Sequence, residues 1–153
     1  MKKIALYAGI AAIGLGTFAL ADGHADLDPA VQARQAHMQL LAHNIGVLGG
    51  MAQEKIEYDA EAAQTAADNL VALGMIDQSS YWVPGTDTES VEGTKALPAL
   101  FENLDDVARI NEEFSAAAEA MSAAAGTDLA GLQGAMGGLG GTCSACHREY
   151  RAR

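Results

Sequence analysis

The chain has 153 residues, of which 50% are hydrophobic, and a formal net charge of −11 at pH 7. That length is enough for one domain with a single core. The shortage of Lys and Arg excludes a nucleic-acid-binding protein, because such proteins need clustered cations to contact phosphates.

The first 21 residues are typical of a secretory signal peptide. Lys2 and Lys3 precede an apolar stretch that ends in the small-residue box Ala19-Leu20-Ala21. We expect cleavage after Ala21, with Ala25 as the second choice; an uncleaved anchor helix is the alternative. Cleavage would leave a mature domain, 22–153, with seven basic and twenty acidic residues, a net charge of −13. The signal predicts export to the periplasm, with no membrane association after cleavage.

Two amphipathic helices are predicted at the start of the mature chain. The first spans about 28–48, has Pro29 in its first turn and ends at Gly49-Gly50. The second spans about 59–73 and stops at Gly74. Their apolar stripes, at helical spacing, are Val31, Met38, Leu41, Ile45 and Leu48, and then Ala63, Ala67, Leu70 and Leu73. His37 and His43 fall off the first stripe, so we expect both to face solvent.

Residues 75–96 are rich in turn-forming residues and predict a long ordered loop. We expect its two large aromatic residues, Tyr81 and Trp82, to pack against the bundle. A third helix is predicted from about Leu97 to Ala125, where Gly126 closes it. Thr127 or Asp128 would then cap a fourth helix.

The fourth helix carries both cysteines of the chain on its apolar stripe, which predicts that they point into the bundle. The stripe is Leu129, Leu132, Met136, Leu139, Cys143, Cys146 and Tyr150. Glycines crowd residues 131–141, each costing a helix about 1 kcal/mol relative to Ala. We interpret them as thinning the helix for a close approach; a break between two short helices is the alternative. Four such helices predict an all-α fold, an antiparallel four-helix bundle.

The motif Cys143-Ser144-Ala145-Cys146-His147 is the attachment pattern of c-type haem. Zinc and iron–sulfur sites want four ligands, and only one cysteine pair exists. A disulfide across two residues would restrict the unfolded chain little. No strand pattern of the kind that accompanies a thioredoxin-like redox pair is visible. We therefore predict one covalent haem c per chain, inside the bundle near its last helix, with His147 as the proximal ligand of the iron.

Together these features resemble the class II c-type cytochromes, and the cytochrome c′ family in particular. The run from Gly140 to Tyr150 is similar to the family's C-terminal signature, and Arg34-Gln35-Ala36-His37-Met38 is similar to its first-helix motif. Gly93-Thr94-Lys95 resembles the stretch that enters the third helix, although many relatives have Glu where Lys95 stands. The resemblance implies haem contacts from Arg34, Gln35, Thr94 and Lys95, and places Met38 over the distal face of the iron.

The resemblance leaves two functions open. With Met38 as the sixth iron ligand, the protein would be a periplasmic electron carrier that docks redox partner proteins. With Met38 as a lid only, the iron would be five-coordinate and would bind NO or CO, for NO capture or tolerance. We expect no enzymatic turnover, because Met38 and its apolar neighbours supply no acid–base group.

Two further expectations concern surfaces. The resemblance implies a homodimer through the first two helices, where small residues such as Ala63, Ala66 and Ala67 would allow close approach. Arg148, Arg151 and Arg153 either favour the C-terminus of the last helix or form a positive rim at the haem edge.

Overall fold

The structure is a computed structural model, and it describes residues 27–153. The predicted signal peptide and its cleavage sites lie outside the described residues. The helices, in chain order, are α1 (Pro29–Ala52), α2 (Ala60–Gly74), α3 (Pro98–Glu102), α4 (Leu104–Ala125) and α5 (Leu129–Tyr150). The four long helices form the predicted bundle, and α3 is a short helix before α4. Within residues 27–153, no helix combines the length and apolarity that crossing a membrane requires.

Side-chain hydrogen bonds join opposite ends of neighbouring helices and so show their antiparallel order. Gln64, early in α2, donates to the carbonyl of Ser122, late in α4, over 3.0 Å. Tyr150, the last residue of α5, donates to Asp106, at the start of α4, over 2.7 Å. The prediction of an all-α fold of four long helices is confirmed for the described residues.

Helix α1 continues past its predicted end. The expectation that Gly49-Gly50 terminates the helix is wrong, since α1 extends to Ala52. Gly49 and Met51 are both buried, and burial of that last turn outweighs the weak helix propensity of glycine. Glu54, which follows the C-cap residue Gln53, has a left-handed φ of 53° and stops the helix there.

The third predicted helix is in fact two. The expectation of one helix from Leu97 to Ala125 is wrong, because Asn103 leaves helical geometry at φ −131° and ψ 41°. Its side-chain amide donates to the carbonyl of Ala99 over 2.8 Å. Asn side chains compete in this way with helical hydrogen bonding, which is why they favour helix ends.

The glycine-rich helix α5 is continuous, so the alternative of a break within it is wrong. Asp128 caps it by accepting from the amide of Gly131 over 2.7 Å. A Cβ added at Gly134, Gly137, Gly138, Gly140 or Gly141 would meet nothing within 4 Å. No protein backbone therefore needs these glycines for a close approach.

The hydrophobic core is divided into two clusters. The larger lies among the four long helices and includes Leu48, Leu70 and Met121. The smaller lies where α5 ends and includes Val107 and Tyr150, and Cys146 packs against this cluster. The larger cluster also buries the small residues Ala63, Ala66 and Ala67. The expectation that these alanines offer a face for a second copy is therefore wrong for Ala63 and Ala67, which pack inside their own bundle, whereas Ala66 also lines a groove on the outer side of α1 and α2.

Candidate functional site

A cavity of about 820 Å³ lies between α1, α4 and α5 and touches residues of both core clusters. Phe114 of the larger cluster and Val107 and Ile110 of the smaller one line it. Leu104 lines it too, yet is 41% exposed. The cavity therefore reaches the surface beside the start of α4.

Helix α5 contributes the cysteine motif to this cavity. Cys143, Cys146 and His147 all line it. The two cysteines are free thiols, each partly buried, and burial raises the pKa of both. A reactive redox pair needs a lowered thiol pKa, so these thiols do not have the electrostatics of a thioredoxin-like site. Within residues 27–153, no three His, Cys, Asp or Glu side chains converge to hold a metal ion.

His147 is the outermost of the three motif residues. Its side chain is exposed, although it also lines the cavity. Partial burial, and then the positive charge of Arg151, lower its pKa. A neutral imidazole is the form that can bond a metal, so this environment favours the ligand-competent state.

Helix α1 forms another wall, with the thioether of Met38 in it. Leu41, Ala42, Ile45 and Gly46 continue that wall along the helix. All of these side chains are apolar, so none can exchange a proton with a bound molecule. The middle of the predicted apolar stripe of α1, from Met38 to Ile45, thus lines the cavity, whereas Leu48 at its end belongs to the close-packed core.

The expectation that His37 faces solvent is wrong. Only 4% of the residue is exposed, its ring lies 5.8 Å from that of Tyr81, and its Nε2 has no hydrogen-bond partner. The loop after α2 folds back over α1 and covers His37, and helical periodicity alone carries no information about that loop. His43 is exposed, as predicted.

Arg34 is the centre of a buried polar group next to the cavity. Its guanidinium donates to the carbonyl of Tyr81 at 3.1 Å, to both the hydroxyl (2.7 Å) and the carbonyl of Thr86, and to the hydroxyl of Thr94 at 2.5 Å. It also lies over the ring of Trp82, 5.6 Å from its centroid. Burial lowers the pKa of Arg34, an effect that Asp28 and Asp87 partly oppose.

Gln35, like Arg34, attaches the loop after α2 to α1. Its amide donates to the carbonyl of Gly93 over 2.9 Å. Gly93 adopts φ +84°, and a Cβ there would come within 2.8 Å of Leu27, so this position requires glycine.

The residues predicted for the site thus fall into two groups and one outlier. Met38, Cys143, Cys146 and His147 line the cavity itself. The group around Arg34, with Gln35 and Thr94, lies on the loop side and reaches the cavity through Trp82, which lines it. Lys95 is exposed, donates to the carbonyl of Arg153 over 3.4 Å, and neither lines the cavity nor hydrogen-bonds Arg34.

Several wall residues were not predicted as part of the site, among them Trp82, Gln78 and Asn111. Trp82 was expected only to pack, yet it lines the cavity. Gln78 and Asn111 also line it, and their side-chain amides hydrogen-bond each other over 3.0 Å between loop and helix. A tryptophan inside a turn-rich segment was a usable signal for the first; no signal marked the pairing of the other two.

These residues fit a haem. The cavity is large and mainly apolar, two thiols a single helical turn apart line it, and the next residue is an imidazole. Among residues 27–153, no carboxylate forms an ion pair with the buried Arg34, so its charge suits the anionic propionates of such a group.

Comparison with known proteins gives the same picture. The family profile for Cytochrome C′ matches residues 29–151. Cytochrome c-554 of Cereibacter sphaeroides is 44% identical over 133 residues, which cover 87% of each chain. A solved cytochrome c′ from Rhodobacter Spheriodes superposes with a TM-score of 0.79 at 36% identity, covering 81% of this chain and 95% of that one. Another solved cytochrome c′, described as having ligand-controlled dimer dissociation, gives a TM-score of 0.72 at 29% identity, covering 81% and 95%.

Proposed function

The chain belongs to the cytochrome c′ family and binds haem c, and from this premise we propose that it is a periplasmic electron carrier with His147 as the proximal iron ligand. The observation that carries the proposal is the shared cavity: the cysteine motif and Met38 line one apolar space, supplied by different helices. Export to the periplasm is inferred from the signal-like sequence of residues 1–21.

When bound, the haem supplies a one-electron couple at its iron. Cys143 and Cys146 would hold it through thioethers, and His147 would bond the iron from α5. The α1 wall around Met38 offers no proton donor or acceptor, and Asp77, the one carboxylate that lines the cavity among the described residues, lies outside that wall, on the loop after α2. We therefore propose electron transfer and not catalytic turnover.

The groups beside the cavity would orient the haem and tune its potential. Arg34 is fixed by four hydrogen bonds to neutral acceptors and lies against Trp82. A fixed positive charge next to the propionates would stabilise the reduced, more negative state of the haem. Gln35 and Thr94 would act through Arg34 and the loop, since neither lines the cavity.

The optical spectrum of the purified ferrous holoprotein tests whether Met38 bonds the iron. Electron transfer through a six-coordinate site predicts a sharp low-spin α band that carbon monoxide leaves unchanged. Replacing Met38 by Ala would then give a high-spin, CO-reactive spectrum. Met75→Ala is the matched control, because Met75 is 80% exposed and does not line the cavity. A broad high-spin wild-type spectrum that shifts with CO would contradict Met38 ligation.

One observation favours a second function, the binding of a diatomic gas. Ala42 and Gly46 follow Met38 at intervals of four residues on the same cavity wall, so the smallest residues of that wall lie next to the thioether. Such small neighbours would give NO or CO little steric hindrance beside Met38. In that case Met38→Ala would alter the spectrum only modestly and would speed ligand entry.

We also propose a homodimer through α1 and α2. Its support is the dimeric state stated for one solved relative, together with a groove on the outer side of α1 and α2 that His43, Val47 and Asn69 line. Sedimentation of the holoprotein tests it. A monomer at micromolar concentration would contradict the dimer without touching the haem proposal.

A further inference from the structure

Positive charge on this acidic protein is concentrated at one end of the bundle. Six cationic side chains are exposed within residues 27–153, and four of them lie where α5 ends. We call these four the C-terminal cationic patch: Lys95, Arg148, Arg151 and Arg153. Of the other two, Arg109 is neutralised by ion pairs with Asp106 and Glu113.

The patch is built by a tertiary contact and not by sequence alone. After α5, the chain runs antiparallel to the segment before α3, with the amide of Leu97 donating to the carbonyl of Tyr150 and that of Ala152 to the carbonyl of Lys95, each over 2.9 Å. This pairing brings Lys95 beside Arg153, more than fifty residues away in sequence, and their 3.4 Å contact follows from it.

Favourable interaction with the helix dipole accounts for only part of this arrangement. Of the three arginines, only Arg148 lies in the last turn of α5. Arg148 also contacts Glu149 over 3.2 Å, which reduces its net effect. Arg151 and Arg153 lie at and beyond the helix end, where the dipole effect has faded. Their position calls for another explanation.

The patch adjoins the part of the site that reaches the surface. Arg148 directly follows His147, which is exposed and lines the cavity. Lys55, the remaining exposed cation, lies at the far end of the bundle. It follows α1, whose last residue, Ala52, accepts a hydrogen bond over 2.9 Å from Gln133 near the start of α5.

We propose that the C-terminal cationic patch docks an acidic surface of a redox partner protein beside His147. The inference rests on the proposed electron transfer: one electron leaves the ferrous holoprotein, which becomes ferric, and the docked partner is reduced by that electron. A local patch opposite in sign to the rest of the protein orients the approach of a charged partner. An acidic protein is favoured over an anionic membrane, because a protein can confine its acidic surface to the area of the patch, whereas an extended anionic bilayer also faces and repels the acidic remainder of this protein.

Oxidation of the ferrous holoprotein by two small reagents of opposite charge tests the patch. Ferricyanide is an anion and tris(phenanthroline)cobalt(III) a cation, and each accepts one electron. Ionic strength is raised from roughly 10 to 150 mM, over which the Debye length falls from about 30 to 8 Å. The net negative charge alone predicts that the ferricyanide rate rises with salt. The patch predicts that it falls.

Two matched variants separate local from net charge. Arg153→Gln and Lys55→Gln each remove one positive charge, but only the first alters the patch. At low ionic strength, we expect Arg153→Gln to slow ferricyanide by about two- to threefold and Lys55→Gln to leave its rate unchanged. Poly-L-glutamate gives a readout without electron transfer: the wild-type holoprotein should co-elute with it at low salt, and Arg148→Gln/Arg153→Gln should not.

Each remaining outcome overturns a defined statement. A ferricyanide rate that rises with salt, or equal effects of the two single variants, overturns the patch while electron transfer stands. Co-sedimentation with phosphatidylglycerol vesicles that Arg153→Gln abolishes would assign the patch to a membrane instead. If neither reagent oxidises the ferrous protein, the proposed function itself fails, and the inference fails with it.

Discussion

Alanine in place of two glycines of α5 should stabilise the protein. Gly134 and Gly137 are exposed, lie inside a continuous helix and do not line the cavity. A Cβ at either position meets nothing within 4 Å, so no clash opposes the gain in helix propensity. Because a helical glycine costs about 1 kcal/mol relative to alanine, we expect about 0.5–1 kcal/mol from each substitution and roughly twice that from both.

Guanidinium unfolding of the holoprotein, followed by far-ultraviolet circular dichroism, measures this change in the free energy of unfolding. In thermal unfolding, the double variant should raise Tm by roughly 4–8 °C. Gly93→Ala is the opposing control: at φ +84°, with Leu27 within 2.8 Å of the new Cβ, it should destabilise by about 1 kcal/mol or more.

A loss of stability in Gly134→Ala/Gly137→Ala would refute the reasoning. It would mean that the outer face of α5 packs closely on something, such as a second copy. Sedimentation of the same variant would then show a change in oligomeric state.

Two other substitutions test the contacts that hold the site's surroundings. Tyr150→Phe removes the hydrogen bond to Asp106, which raises the pKa of Tyr150 to about 12. A raised folded-state pKa gives stability that is complete below pH 10, near the ordinary tyrosine value, and is lost as the pH rises towards 12. Urea midpoints across that range should therefore fall for the wild type, and the part of the fall due to this residue should be missing in Tyr150→Phe. An unchanged alkaline profile would contradict the role of the pair. Arg34→Met removes four hydrogen bonds and should cost about 2–4 kcal/mol. It should also expose the 81–94 loop to limited proteolysis. Gln35→Ala loses one hydrogen bond and should cost about 1 kcal/mol or less. Equal losses of stability in the two variants would refute the role of Arg34 in holding this loop.

Periodicity and capping were enough to predict most of the helical framework. Asp59 and Asp128 each accept a hydrogen bond from an amide in the first turn that follows them, so α2 and α5 begin within a residue or two of their predicted starts. The motif at Cys143 and Cys146 also lies on the inward face that the spacing of three and four predicts. These features succeed because each depends on contacts within a single helix.

Apart from the split of the third predicted helix at Asn103, which involves a local bond to Ala99, the failures depend on contacts between distant segments. His37 is covered by a loop that follows α2, and Trp82 reaches the cavity from that same loop. Gly49 stays helical because the bundle buries it. The spacing of apolar residues along one helix cannot reveal which other segment packs against that helix. The family resemblance named Arg34 and Thr94 as site residues but did not show that Arg34 donates a hydrogen bond to Thr94.

The two groups of site residues have different proposed roles, and experiments can separate them. The cavity group would touch the haem, and it borders both core clusters, so a bound haem would lie against apolar residues such as Leu104 and Ile76. The Arg34 group is complete in itself, since its hydrogen bonds all end on the protein. Changes in the first group should therefore alter the spectrum and haem incorporation together, while changes in the second should alter stability first and the spectrum only through Trp82.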